Sequence, residues 1–258
     1  MSILKEILLN KRKEIDYLKK NNPISEIEKS QYFNRKVISI KKSLIEKSGI
    51  ISEFKRKSPS KPNINLDAEA TKITRGYELS NSSAISILTD SKYFGGSNED
   101  ITSVRSEINI PILRKDFILD EYQVIESKSL GADVILLIAA SLSKQHVKNL
   151  SRFAKSFDLQ VILEIHSKDE LSYLCDSIDV VGVNNRNLKK FETNINNSIN
   201  IAGMIPSSFL KISESGISTS KEILRLKEHG YDGFLIGEYF MKKKDPVFAC
   251  NDFIKKLC

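Results

Sequence analysis

The sequence predicts an α/β protein: a (β/α)8 barrel that takes residues 1–258 as a single domain, of which 1–48 form an N-terminal helical extension. Three observations carry that expectation. Eight strand-like apolar runs follow one another between Ile50 and Ile236, segments of helical period separate most of them, and the chain has 258 residues where such barrels take about 250.

The elements follow in order. Ser2–Lys20 sets Ile3, Leu4, Ile7, Leu8, Ile15 and Leu18 at helical spacing among lysines and glutamates, an amphipathic helix packed on something larger. Asn21-Asn22-Pro23 ends it, and a short polar stretch runs to about Gly49. The expected strands are Ile50–Lys55, Ala84–Thr89, Ile110–Lys115, Asp133–Ile138, Gln160–Glu164, Ile178–Val183, Phe209–Ser213 and Asp232–Ile236. Their spacing of roughly 20 to 35 residues leaves room for a crossover helix and two turns. Asp120–Leu130, Lys144–Phe157 and Ser218–Glu228 are such helices, and Pro246–Leu257 closes the barrel. A doubly wound dinucleotide fold would carry a Gly-rich turn after its first strand; Lys55-Arg56-Lys57-Ser58-Pro59-Ser60 stands there instead.

Composition narrows the function. A 40% hydrophobic content supports a sizeable core, and no apolar run reaches the roughly 20 residues that span a bilayer, so no membrane partner is expected. The opening Met1-Ser2-Ile3-Leu4-Lys5 lacks the features of a signal peptide, and Cys175, Cys250 and Cys258 are odd in number and far apart. Both point to a cytoplasmic protein without disulfides. The net charge of +7 admits nucleic acid, an anionic surface or an acidic metabolite. With 8% aromatics, no Trp and no aromatic-basic stripe, a base-stacking platform has little support; a general lysine-rich background accounts for most of these charges, and an anionic metabolite is the more specific alternative. No metal is expected, because no residues stand at ligand spacing and His166 reads as an ordinary loop histidine.

Strand parity locates the chemistry. Pro111–Phe117 is an apolar run that ends in Arg114, Lys115 and Asp116; one such corner alone would be a solvated strand end. Residues i and i+2 share a face, so Lys115 lies with Leu113, Glu164 with Ile162, Asn184 with Gly182, Glu214 with Ile212 and Lys55 with Glu53. Leu136 and Ile138 give the same ring an apolar wall. Two lysines and three carboxylates at one mouth suit general acid–base chemistry, because crowding pushes their pKa values apart. A partly desolvated Lys115 is expected to release its proton more readily than a surface lysine.

The turns after the last two strands predict an anion seat. Ser215 and Gly216 follow the seventh strand, and Gly237 and Glu238 follow the eighth, where glycine lets backbone N–H groups approach a phosphate. If only the N–H of Glu238 points inward, its carboxylate can face solvent. Arg56–Asn65 is expected to be a mobile loop over the mouth, and Tyr93–Ser97 either an aromatic wall or a plain glycine turn.

Taken together, Ser52–Ser60, Ala84–Ser97, Ile112–Gln123, Gly131–Ile138, Ile162–His166, Val183–Phe191, Ser213–Ile217 and Phe234–Met241 resemble, in order, the indole-3-glycerol phosphate synthase family. The N-terminal extension is similar too. Two positions depart from the family pattern: Lys61-Pro62-Asn63 stands where a glycine usually follows Ser-Pro-Ser-Lys, and Ser52 replaces a common alanine. The resemblance implies decarboxylative ring closure of 1-(2-carboxyphenylamino)-1-deoxyribulose 5-phosphate; no cofactor is expected, and a monomer is. It implies Lys115 as general acid for ring closure, Glu164 and Lys55 as the pair for dehydration, and Glu53 and Asn184 as groups positioning them. It places Ser58 and Arg186 on the substrate carboxylate and Phe94, Phe117, Leu136 and Leu188 round the aryl ring. Ser215, Gly216, Gly237 and Glu238, with Lys55, take the phosphate, and Glu214 joins the binding set. Two other classes share these residues: a Schiff-base lyase acting through Lys115, and a non-catalytic anion- or nucleic-acid-binding protein.

Overall fold

A computed structural model describes residues 3–187 and 192–257. Eight parallel strands close on themselves in chain order: β1 (Ile50–Phe54), β2 (Ala84–Leu88), β3 (Ile112–Lys115), β4 (Val134–Ile138), β5 (Gln160–Ile165), β6 (Val180–Asn184), β7 (Leu210–Glu214) and β8 (Gly233–Ile236). Ahead of them lie α1 (Ile3–Asn21), α2 (Ile24–Ile27) and α3 (Ile40–Glu46); between them come α4 (Ala70–Leu79), α5 (Ser91–Phe94), α6 (Asn98–Arg105), α7 (Glu121–Leu130), α8 (Lys144–Lys155), α9 (Asn196–Ala202) and α10 (Ser220–Glu228). The short α11 (Glu238–Met241) and the closing α12 (Pro246–Lys255) follow β8. The crossover from β5 to β6 is a 3₁₀ stretch, Lys168–Tyr173, in place of a full helix.

Local signals set these boundaries. The Asp120 carboxylate accepts the Tyr122 N–H at the start of α7, and Gly131 ends it in the left-handed region at φ 92°. Thr219 and Glu222 cap α10 reciprocally. Along the strands, alternate residues split cleanly between two cores. Ile51, Leu113, Leu136, Ile162, Ile212 and Leu235 fill the barrel, while Ile50, Ile85, Ile112, Leu163, Val183 and Phe234 pack outward against the helices.

The stretch from 21 to 49 is more structured than its polar composition suggests. Ile40 and Leu44 of α3 join the core inside the barrel and plug its N-terminal end. The Ile40 N–H donates to Gln160 Oε1 at 2.5 Å, and Ser43 Oγ to the Ser83 carbonyl at 2.5 Å. One helical turn of apolar residues among lysines is too short a period to read from sequence. With α3 across the bottom, the barrel interior opens at its C-terminal mouth among the described residues.

Candidate active site

That mouth holds a cavity of about 310 Å³, of the size that takes a metabolite. Lys115, Glu164, Asn184 and Glu214 line it from the ends of β3, β5, β6 and β7, with Glu53 and Lys55 from β1. Register brings them together: Glu164 pairs with Gly182, and Asn184 with Glu214. Lys115 Nζ lies 3.0 Å from Glu164 Oε2 and 2.8 Å from Glu214 Oε2, while Lys55 Nζ donates to Glu53 Oε1 at 2.6 Å. Parity also turns Arg114 away. Its guanidinium is buried in the helix layer against Glu126 at 2.6 Å, with Ser127 Oγ at 3.1 Å. Asp116 turns to Lys11 of α1 and borders the cavity from that side, so of the three charges ending this strand Lys115 is the one that meets Glu164 and Glu214.

The electrostatics differ from the expectation for Lys115. Burial does disfavour its charge, but Glu164, Glu214 and Glu53 outweigh burial and raise its pKa above the ordinary lysine value. It is therefore a firmly held ammonium, and desolvation does not loosen its proton. The two carboxylates around it diverge. Burial raises the pKa of Glu214, whose Oε1 has no hydrogen-bond partner among the described residues, and Lys115 only partly offsets this. For Glu164 the same burial penalty is overcome by Lys115 and His166, and its pKa lies below the usual carboxylate range. One mouth thus holds a charged acid, an ionised carboxylate and a carboxyl that resists ionisation.

Phe94 and Phe117, their rings 6.4 Å apart, make an apolar wall with Leu136 and Ile138. Leu188 falls outside the described residues. Opposite, Ser215 and Gly216 both have positive φ, 69° and 78°, and Asn185 Nδ2 holds the Ser215 carbonyl at 3.1 Å. These two, with Gly237 and Glu238, line the same cavity.

The loop after β1 reaches over the mouth with Ser58, Pro59 and Ser60 on the cavity wall. Ser58 and Lys61 exchange backbone hydrogen bonds of 2.8 and 3.0 Å, and Arg56 anchors the loop to Asp100 through two contacts of 2.5 and 2.8 Å. Arg186 Nη1 donates to Ser60 Oγ at 2.9 Å. The Glu238 carboxylate does not face open solvent as expected: it accepts from Lys61 Nζ at 2.5 Å and lies 3.6 Å from Arg186 Nη2. Two cations near it draw it onto the loop.

Several lining groups escaped the sequence reading. Ile3, Leu4 and Ile7 of α1 cover part of the cavity, so the extension is a wall of the site. Behind them, the buried Lys11 is paired with Asp90, Asp116 and Glu14. Its signal was present: Ile7, Lys11 and Ile15 share one helix stripe, and a lysine in an apolar stripe needs an acidic partner. His166, read as an ordinary loop residue, lies 3.4 Å from Glu164 Oε1. Its signal was the two-residue offset from Glu164, which on a strand means the same face.

A closed (β/α)8 barrel whose C-terminal mouth crowds lysines against carboxylates is an acid–base barrel enzyme in its architecture. The fold alone recurs in 3-hexulose-6-phosphate synthase from Salmonella typhimurium, at TM-score 0.65 and 13% identity, covering 81% of this chain and 98% of that one. The family model described as indole-3-glycerol phosphate synthase matches residues 4–255. Proteins of that name from Bacteroides thetaiotaomicron and Campylobacter fetus are 44% and 40% identical over 256 and 253 residues, covering 99% and 97% of this chain and 98% of each relative. The chain belongs to the indole-3-glycerol phosphate synthase family.

Proposed function

We propose that the chain converts 1-(2-carboxyphenylamino)-1-deoxyribulose 5-phosphate to indole-3-glycerol phosphate, carbon dioxide and water. The observation that carries this reading is the ammonium of Lys115, set between two carboxylates beside an apolar wall. In the first step the aryl carbon bearing the carboxylate attacks the ketone, and Lys115 gives its proton to the ketone oxygen. The carbon–carboxylate bond then breaks, returning its electron pair to the ring and releasing carbon dioxide. Dehydration follows: Glu164, held ionised, takes a proton from the new ring, and Lys55 gives one to the departing hydroxyl. Glu53 and Asn184 orient these groups.

Binding uses the remaining side chains. Phe94, Phe117, Leu136 and Leu188 hold the aryl ring. Ser58 and Arg186 take the carboxylate, Arg186 exchanging Ser60 and Glu238 for it. Ser215, Gly216, Gly237 and Glu238, with Lys55, seat the phosphate, their glycines allowing close approach of the backbone; Glu214 holds Lys115 and borders the sugar chain. A Schiff-base mechanism needs a neutral Lys115, which the flanking carboxylates oppose. We further infer a monomer working in the cytoplasm.

The experiment is direct: purified protein is mixed with the carboxyphenylamino sugar phosphate and indole fluorescence is followed. Growth of the indole signal with matching release of carbon dioxide is expected. A flat signal, or a borohydride-trapped adduct on Lys115, overturns the reading.

A further inference from the structure

The mechanism above does not use His166, whose imidazole lies mostly buried against Glu164, with 14% of the side chain exposed. Neither ring nitrogen is exposed, and neither makes a hydrogen bond to a described residue. Nε2 lies 3.4 Å from Glu164 Oε1 and Nδ1 lies 3.8 Å from Glu170 Oε2. The backbone fixes the ring between them: the His166 N–H donates to Glu170 Oε2 at 2.5 Å, and Asn197 Nδ2 of α9 donates to the His166 carbonyl at 3.2 Å. Among the described residues, the charged groups facing it are Glu164 of β5, Glu170 on the following 3₁₀ stretch and, further off, Glu214 on β7; Lys115 of β3 lies beyond Glu164.

This placement breaks a symmetry. Lys115 sits almost equally close to Glu164 and Glu214, so it alone gives no reason for one carboxylate to be ionised over the other. His166 touches only one of them. The second oxygen of Glu164 meets the imidazole, in addition to a hydrogen bond that Glu164 takes from Asn184, whereas the second oxygen of Glu214 meets no partner among the described residues. We propose that His166 is a positioning residue that selects Glu164, and not Glu214, as the ionised carboxylate of the pocket, by placing an imidazolium against Oε1. It is not itself a catalytic residue, because it does not line the cavity. Burial works against the imidazolium, but Glu170 and Glu164 outweigh it and raise its pKa above the ordinary histidine value. A positive charge at this distance typically lowers a carboxylate pKa by about 1–3 units.

The role rests on the synthase reading only where turnover is concerned, so the test has two arms. In the first, the imidazoles of the intact protein are titrated by NMR without substrate; the exposed His146 and His229 serve as references. His166 is expected to titrate above the ordinary histidine value, and Glu164→Gln is expected to lower its midpoint by about one pH unit. In the second, the pH profile of kcat/KM for indole formation is compared for the wild type, His166→Gln and His166→Leu. Both neutral variants are expected to move the acid limb to higher pH by roughly one unit, because the free enzyme's base has lost its cation. A merely structural role would lower kcat and leave the limb in place. A His166 midpoint indifferent to Glu164→Gln, or an unmoved limb in both variants, overturns the proposal. Should the wild type form no indole, the assigned reaction fails, and the titration arm still decides the His166–Glu164 pairing.

Discussion

Lys11 Nζ, in the middle of the first helix, lies 3.0 Å from Asp116 Oδ1, and Asp116 directly follows Lys115 in the chain. The same ammonium lies 3.1 Å from Asp90 Oδ2 at the end of β2 and 3.0 Å from Glu14. One buried cation therefore ties the N-terminal extension to two neighbouring strand ends, and through Asp116 to the backbone that aims Lys115. The apolar residues one and two turns ahead of it, Ile7, Leu4 and Ile3, line the cavity. Position of the acid and cover of the pocket depend on the same ion cluster.

Lys11→Met should therefore harm both stability and turnover. Removing one partner of a buried ion pair while leaving the other charged typically costs about 3–5 kcal/mol. Here two aspartates lose their cation, and the methionine chain fills the space without compensating them. Thermal or urea unfolding of the variant should show a loss of that order. Its kcat should fall even at temperatures where it is fully folded. A variant with wild-type midpoint and wild-type kcat would show that the cluster neither holds the helix nor aims the strand.

The same cluster predicts a response to acid. Burial favours the neutral form of Asp116, but Lys11 and Arg114 override it and depress its pKa below the ordinary aspartate value. A depressed carboxylate contributes stability that is present above its unfolded pKa of about 3.9 and is lost as pH falls through the folded value. Unfolding midpoints should thus drop steeply below about pH 4 in the wild type and less steeply in Asp116→Asn. Equal slopes would remove Asp116 from the acid response.

Substitution of the catalytic pair gives the sharpest functional expectation. Lys115→Ala should abolish indole formation while the circular dichroism and unfolding transition survive, since Glu214, already shifted towards its neutral form by burial and Glu164, stays protonated beside it. Glu164→Gln should lose about 10²–10⁴-fold in turnover, as expected when a proton-transfer group is removed. Near-wild-type product from the first, or a loss below about tenfold from the second, would reassign those roles.

Glu214 should show the opposite pH signature to Asp116. Its folded pKa is raised, first by burial and further by Glu164, against the pull of Lys115. A raised carboxyl contributes stability that is full below its unfolded pKa and lost as pH climbs through the folded one. Glu214→Gln removes that loss. The variant's unfolding midpoint should therefore gain on the wild type between about pH 5 and 8, by on the order of 1 kcal/mol. A constant difference across that window would mean that Glu214 ionises as freely in the fold as in the unfolded chain.

The barrel and the composition of its mouth were legible because they rest on short periods. Alternation by two fixes which side of a strand a residue takes, so Lys55, Lys115, Glu164, Asn184 and Glu214 could be assigned inward from sequence. The sign of the Lys115 shift was not legible, because desolvation and three carboxylates act in opposite directions and only distances decide between them. Glu238 went astray for the same reason: its partners Lys61 and Arg186 come from loops whose approach no local pattern encodes. α3 was missed because a helix of seven residues offers too few turns for its period to stand out. Lys11 and His166 were different, since parity and the helix stripe already marked them as facing inward. The carboxylates that meet their charge, Asp90 and Asp116 for Lys11 and Glu170 for His166, lie on other elements that neither period encodes.

Gly182 supplies the last expectation, and it concerns space more than charge. It sits on β6 between Glu164 and Ile212, and a Cβ there would come within 2.2 Å of Glu214 Oε1 and 3.3 Å of Ile162 Cγ2. Its backbone is ordinary strand, so alanine brings no conformational strain; the contact itself is what must yield. The end of a glutamate side chain can move, while the Ile162 core cannot, so Gly182→Ala should push the Glu214 carboxylate off Lys115. The stability loss should stay within about 1–3 kcal/mol, typical of overpacking. Turnover should fall much further, because displacing a catalytic contact by about 1 Å can cost about 10²-fold. Gly203→Ala, where a Cβ would meet nothing within 4 Å, is the control and should leave turnover unchanged. Comparing kcat for the two variants at a temperature where both are folded decides the matter: equal rates would mean that the bare backbone at 182 does not make room for Glu214.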